Sequence, residues 1–241
     1  MELNKNLWTE ADRVPFLSYL KTFEQPSKVD WGRRILNTNL PLLAMTTKSL
    51  DDMVKSIFKG NYLSFLELEV YDYYESIAIA GKLICKITDF NVMRTYLDRY
   101  SLVMENWAHC DLLSFDITPN SQHRFIELSQ TYATSTRPFI RRLSLMILFQ
   151  MVKNPPVLPV IYKALLNLKD ETEYYVIMMA GWLLSECIIL YKADTLAFIS
   201  KENMNPKVVN KGIQKCRESR RLTLEEKDAL SIYKRQKSHE R

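Results

Sequence analysis

Glycine is scarce in this chain: five residues in 241, none of them clustered. With no Gly-rich turn there is no loop whose backbone amides could cradle a phosphate, and with no runs of alternating β-branched residues there is no pattern for a sheet. Cysteine is nearly as sparse. Cys85, Cys110, Cys187 and Cys216 lie far apart, form no CxxC pair and sit in apolar helical context. That spacing excludes a disulfide framework and predicts free thiols in a reducing cytosol. The most apolar stretch, Tyr174 to Leu190, approaches membrane-spanning length but carries Ser185 and Glu186, so it reads as a buried central helix. The start, MELNKNLWTEADR, lacks the charged-then-apolar pattern of a secretory signal, and a cytoplasmic protein is expected, with no membrane partner.

What is present is helical periodicity. At 47% hydrophobic the chain can bury one substantial core, or stack as one continuous solenoid, and it reads as a single domain over 1–241 with a loosely ordered tail at about 233–241. Helices are expected from Thr9 or Glu10 to Phe23, at Asp30 to Asn37, and from a Ser49 cap to Gly60. Further helices are expected at 62–86, 90–104, 106–115, 121–133, 137–152, 156–168, 171–192, 194–201, 206–219 and 223–237. Short polar turns such as KITDFN, DITPNS and KNPP join them in pairs about every 35 to 40 residues, the pattern of stacked helical-pair repeats; a compact bundle would look similar.

Charge is unevenly spread. Residues 201–241 hold twelve Lys and Arg against six Asp and Glu, more than the whole net charge of +5. A clustered basic surface suits nucleic acid, although a basic last helix is as often a solvated face. Lys207, Lys211, Lys215, Arg217, Arg220 and Arg221 lie here, and Lys153 precedes them.

Four residues stand out against apolar helical surroundings: Trp107 and Asp111 in NWAHCD, Arg142 in RPFIRRLSL, and Trp182 in YYVIMMAGWLLSEC. A helix that only packs would place Leu, Ile or Ala there, so amphipathic rings and opposite charges suggest a shared surface. Asp111 follows Trp107 by four residues, which puts ring and carboxylate on one helical face. Arg141 and Arg142 are adjacent and point about 100° apart, so one of them faces any groove. His109 lies on a different face from Trp107 and reads as a packing or polar-contact residue. Adjacent His109 and Cys110, with no further spaced ligands, do not make a metal site; no metal or cofactor is expected.

In the order and spacing of these residues the chain resembles the HEAT-like-repeat DNA alkylation repair glycosylases, the AlkD-like family. The resemblance rests on Trp107, Asp111, Arg142 and the Gly181-Trp182 pair, extends to QPSKVDWGRRILNTNLPLLAM upstream and IQKCRESRRL downstream, and covers about residues 10–232. It implies an all-α, right-handed α-α superhelix of HEAT-like helical repeats with a basic concave face for duplex DNA. It also implies a monomeric, cofactor-free glycosylase that hydrolyses the N-glycosidic bond of cationic N3- or N7-alkylated purines in double-stranded DNA, associated with the nucleoid when bound. The alternative is a paralogue of the same fold that binds DNA or a protein partner and excises nothing.

Carried onto this sequence, the family pattern implies that Asp111 stabilises the oxocarbenium-like sugar, that Trp107 and Trp182 lie against sugar and backbone, and that Arg142 holds the adjacent phosphate. It further implies that Trp31, Arg33 and Arg34 of WGRR approach the minor groove. The DNA-binding candidates are thus Trp31, Arg33, Arg34, Arg141, Lys153 and the six C-terminal cations. Two positions depart from the pattern. Ala108 stands where a further acidic residue follows the tryptophan, and Phe139 stands where a tryptophan often precedes the arginine.

Overall fold

A computed structural model of the protein describes residues 1–236, and every regular element among them is a helix. Residues 237–241, part of the expected tail, lie outside the described residues. Just before them Arg235 is tied down, its backbone exchanging two 2.9 Å hydrogen bonds with the Asn210 side chain. The chain divides into two compact units, Met1–Asp116 and Ile117–Arg241.

The first unit holds α1 (Arg13–Lys21), α2 (Pro26–Leu36), α3 (Thr47–Phe58), α4 (Tyr62–Glu67), α5 (Tyr74–Ile84), α6 (Phe90–Ser101) and α7 (Trp107–Asp111). Helices α3, α5 and α7 run parallel. The Lys82 ammonium of α5 pairs with Asp51 of α3 at 3.0 Å, Glu75 at the start of α5 binds the Leu43 amide just before α3, and His109 of α7 stacks on Tyr74 of α5. Gly81 lets α5 meet α6 and α7 closely, because a Cβ there would lie 2.6 Å from the Tyr100 hydroxyl and 3.0 Å from Leu112 Cδ1. Ile79, Leu83, Leu97 and Tyr100 are fully buried around this contact, each contributing about 1.5–3 kcal/mol through burial.

The second unit holds α8 (Gln122–Ala133), α9 (Pro138–Gln150), α10 (Leu158–Leu166), α11 (Tyr174–Leu190), α12 (Lys192–Lys201), α13 (Pro206–Glu218) and α14 (Leu224–Ala229). Here α9, α11 and α13 are the parallel set. Arg142 of α9 reaches Tyr175 of α11 at a sequence separation of 33, and Cys216 of α13 reaches Ser185 of α11 at a separation of 31. The same step recurs in the first unit, where Leu43 and Glu75 are 32 apart and Tyr74 and His109 are 35 apart. Parallel helices recurring at one helical-pair interval are HEAT-like repeats, each pair burying its apolar side against the next. None of the four cysteines is in a disulfide, and three of them are buried.

Three local readings of the sequence are corrected. The helix expected at 62–86 is broken into α4 and α5, because Glu69 takes the left-handed conformation (φ 46°) and a right-handed helix cannot pass through it. The break is sealed by Arg13, which donates to the Leu68 carbonyl at 3.0 Å, and α5 restarts where the Ser76 hydroxyl accepts the Tyr73 amide at 3.1 Å. Helix α3 is capped by Thr46, whose hydroxyl accepts the Ser49 amide at 3.1 Å, rather than by Ser49 itself. Helix α2 begins at Pro26, a residue suited to the first helical position, four residues earlier than Asp30.

Candidate functional site

Helix α7 is five residues long and owes its existence to Asn106. The buried amide oxygen of Asn106 accepts from Ala108 N at 3.0 Å and His109 N at 3.2 Å, satisfying two amides that a helix start leaves without partners. Trp107 occupies the first position of α7 and Asp111 the last, one turn apart on one face. A carboxylate at the carbonyl end of a helix stands where the macrodipole disfavours it, so local helix preferences do not account for Asp111. Between them His109 is fully buried. It stacks on Tyr74 with centroids 4.7 Å apart, its Nε2–H donates to the Tyr74 carbonyl at 3.3 Å, and its Nδ1 accepts from Asn106. Burial lowers its pKa to about 4, so the ring is neutral at neutral pH and anchors α7 to α5, the packing role read from the sequence.

Trp107 is joined to α2. Its indole N–H donates to the Ile35 carbonyl at 3.2 Å, and Trp107 and Trp31 line the same cleft of about 420 Å³, together with Ile35, Leu42, Met45 and Tyr74. Beneath it lies Glu75, buried and accepting the Leu43 and Met45 amides at 3.1 and 3.3 Å; burial raises its pKa. Trp31 is 61% exposed on α2, and Arg33 and Arg34 are exposed beside it. Trp31, Trp107, Arg33 and Arg34 are therefore neighbours on or beside one short helix.

In the second unit Arg142 and Trp182 share a face of the α9–α11 pair. Arg142 is 5% exposed and its Nη1 donates to the Tyr175 carbonyl at 2.6 Å. Two turns further along both helices Trp182 packs on Phe149, centroids 4.6 Å apart, while remaining 37% exposed in an otherwise buried stretch of α11. Phe139 packs on Tyr175 at 5.4 Å, so an aromatic face is kept where the family pattern has a tryptophan. The Gly181-Trp182 pair has a packing reason as well. A Cβ at Gly181 would lie 2.5 Å from Lys211 Cγ, so glycine is what allows α11 to approach α13.

Several of the cations have partners within their own unit. Arg141 is engaged within its own unit: Nε and Nη2 bind the Glu171 carboxylate at 2.8 and 3.2 Å, and Nη1 binds the Ser135 and Thr136 carbonyls at 3.0 Å. Lys215 pairs with Glu218 at 2.9 Å, Arg217 reaches Ser231 at 3.1 Å and Asp228 at 3.9 Å, Arg221 pairs with Glu186, and Lys211 bonds Gln214 at 2.9 Å. Lys153, Lys207 and Arg220 are exposed. Lys215, Arg217 and Arg221 of the basic segment thus stand beside acids rather than as isolated charges.

The family model described as DNA alkylation repair enzyme matches residues 17–216, from α1 into α13. The chain belongs to this family of DNA alkylation repair enzymes. No curated protein matches it. The family match includes Trp31, Trp107, Asp111, Arg142 and Trp182 and stops before Arg217. Residues that sequence reasoning missed include Tyr175 and Phe149. Each lies seven residues, two helical turns, from a residue that was singled out, Trp182 and Arg142 respectively, and that spacing would have found them. Glu105 left no such signal, because its partners lie more than sixty residues upstream. Among the described residues no helix is long and apolar enough to cross a membrane, and no three His, Cys, Asp or Glu side chains cluster to hold a metal ion.

Proposed function

We propose that the protein is a monofunctional DNA glycosylase that acts as a monomer, hydrolysing the N-glycosidic bond of cationic N3- or N7-alkylated purines in duplex DNA. The observation that carries this reading is the family match over residues 17–216, which spans the Trp107–Asp111 helix. A purine alkylated at N3 or N7 already bears positive charge and leaves without protonation, so no general acid is required. What remains is the charge left on the sugar. As the bond breaks the deoxyribose becomes oxocarbenium-like, and the Asp111 carboxylate stabilises that charge and orients the attacking water, which adds hydroxyl at C1′ and gives its remaining proton to the carboxylate and thence to solvent as the neutral base departs with the electron pair of the broken bond. Trp107 and Trp182 offer ring faces to the cationic sugar, an attraction of about 1–2 kcal/mol where water is excluded. Arg142 holds the adjacent phosphate, and Trp31, Arg33 and Arg34 hold the minor groove, with Lys153, Lys207 and Arg220 as outlying phosphate contacts.

One observation favours a second reading, a HEAT-like paralogue that binds DNA or a protein partner without excision. Arg142 is 5% exposed and bonded to the Tyr175 carbonyl, the environment of a structural arginine. Base release separates the two. Single-turnover release of 7-methylguanine and 3-methyladenine from methylated duplex DNA is expected from the intact protein and is lost in Asp111→Asn with duplex affinity retained. Duplex binding without release from either protein would establish the non-catalytic reading.

A further inference from the structure

Helix α2 carries Trp31, Arg33 and Arg34, yet none of its residues is buried. Val29, Gly32 and Leu36 form only a half-buried stripe, so apolar packing holds α2 weakly and polar contacts at its ends contribute to its position. Gly32 rests against Leu42, where a Cβ would meet Cδ2 at 2.9 Å, and the amide of Gln25 before the helix donates to the Leu43 carbonyl at 2.8 Å. The other end is held by the segment that leads into α7. After α2 the chain reverses through Asn37, a left-handed residue (φ 51°), and the following turn wraps one carboxylate oxygen of Glu105. That oxygen accepts from the Thr38 hydroxyl, from Asn39 N at 3.1 Å and from Leu40 N at 3.3 Å. Two residues on, Trp107 caps the Ile35 carbonyl, one of those a helix end leaves without an internal partner.

We infer that Glu105 is a positioning residue: it seats α2 on the segment that begins α7, and so fixes Trp31, Arg33 and Arg34 relative to Trp107 and Asp111. Glu105 touches no DNA in this account and acts through the helix it holds. A carboxylate gathering three donors from one turn is stronger than neutral hydrogen bonds and has one geometry. The inference rests on the proposal that α2 contacts the duplex.

The test is a double-mutant cycle on the full chain. Duplex affinity, by fluorescence anisotropy, and single-turnover base release are measured for Glu105→Ala, for Glu105→Gln, which keeps an amide oxygen as acceptor, and for Thr38→Val, which removes one donor from the opposite side. Each is compared with a Trp31→Ala, Arg33→Ala, Arg34→Ala variant, alone and combined with Glu105→Ala, and circular dichroism reports that each is folded. Glu105→Ala weakens duplex affinity about tenfold, Thr38→Val about threefold, and Glu105→Gln recovers most of the loss. In the triple background Glu105→Ala adds less than about a twofold change, because the side chains it positions are gone.

An equal loss in that background, or unchanged affinity in Glu105→Ala and Thr38→Val, overturns the inference. If Glu105→Ala does not fold, Thr38→Val closes the same cycle. Duplex binding without base release in the parent protein would remove the glycosylase reading while the affinity cycle still decides the role of Glu105. Absence of duplex binding in the parent overturns it, since α2 would have no DNA to meet.

Discussion

His109 predicts an acid sensitivity that can be worked out in advance. An exposed histidine takes up its proton near 6.5, whereas His109, fully buried against Tyr74 and Asn106, does so only near about 4. Between those values the unfolded chain binds the proton and the folded chain does not, so stability rises with pH across the window and falls as pH drops below about 6.5. The full separation corresponds to roughly 3 kcal/mol at 1.36 kcal/mol per unit of pKa, of which about 2 kcal/mol is lost between about pH 7 and about pH 5. Urea unfolding at these two pH values measures it, with His109→Gln, which does not titrate, as the reference that cancels every other ionisable group. The wild type should lose about 2 kcal/mol more than the variant over that interval. Equal losses in the two proteins, or a His109 imidazole that titrates near 6.5 in the NMR spectrum of the folded protein, would refute the reasoning.

Other expectations follow from single contacts. Gly81→Ala forces a Cβ to 2.6 Å from the hydroxyl of a fully buried Tyr100 and is expected to lower urea stability by about 2–3 kcal/mol; a change under about half a kcal/mol would mean α5 can move away. Arg141→Met leaves the nearly buried Glu171 carboxylate without its bidentate partner and should destabilise by roughly 3 kcal/mol, while Arg141→Met with Glu171→Met regains most of it; neither should alter the salt dependence of duplex binding. Trp182 is 37% exposed and packs mainly on Phe149, so Trp182→Ala should cost about 1–2 kcal/mol of stability while lowering base release by about tenfold or more; release unchanged within about twofold would assign Trp182 to packing alone. Arg33→Ala should reduce the salt slope of duplex affinity by about one, and Lys215→Ala, already paired with Glu218, by much less; the reverse order would return the DNA contact to the C-terminal cations.

Much of the fold was legible because helical periodicity is a local property. Most expected helices from Phe90 onward coincide with observed ones within about three residues, with Asp89, Asn106 and Asn205 as ordinary caps, but the helix expected at 106–115 ends at Asp111, and the one expected at 223–237 ends at Ala229 with a single tighter turn to Tyr233, residue 237 lying outside the described residues. The misses have local physical causes that periodicity does not encode. Glu69 breaks 62–86 by adopting a backbone region rare for a glutamate, and its neighbours Glu67 and Leu68 are held by Arg99 and Arg13 from distant helices. Asp111 and Trp107 stand out in the sequence because they are out of place in a helix that merely packs. Glu105 does not, because an acidic residue in a turn looks solvated until the turn of residues 38–40 is seen around it. In the basic C-terminal segment the charge excess was legible but the pairings were not, since a count along the chain does not show that Glu186 of α11, Glu218 of α13 and Asp228 of α14 meet Arg221, Lys215 and Arg217.

In the proposed reaction, excision is driven by the positive charge of the base and by the Asp111 carboxylate, with no acid to protonate a neutral leaving group. It is tested most directly by single-turnover release from two duplexes of one sequence, one containing a single 7-methylguanine and the other a single hypoxanthine, a neutral purine. Release of 7-methylguanine by the intact protein and none of hypoxanthine over the same period is expected. Comparable release of hypoxanthine, or a bound 7-methylguanine duplex left intact, would contradict the proposed reaction.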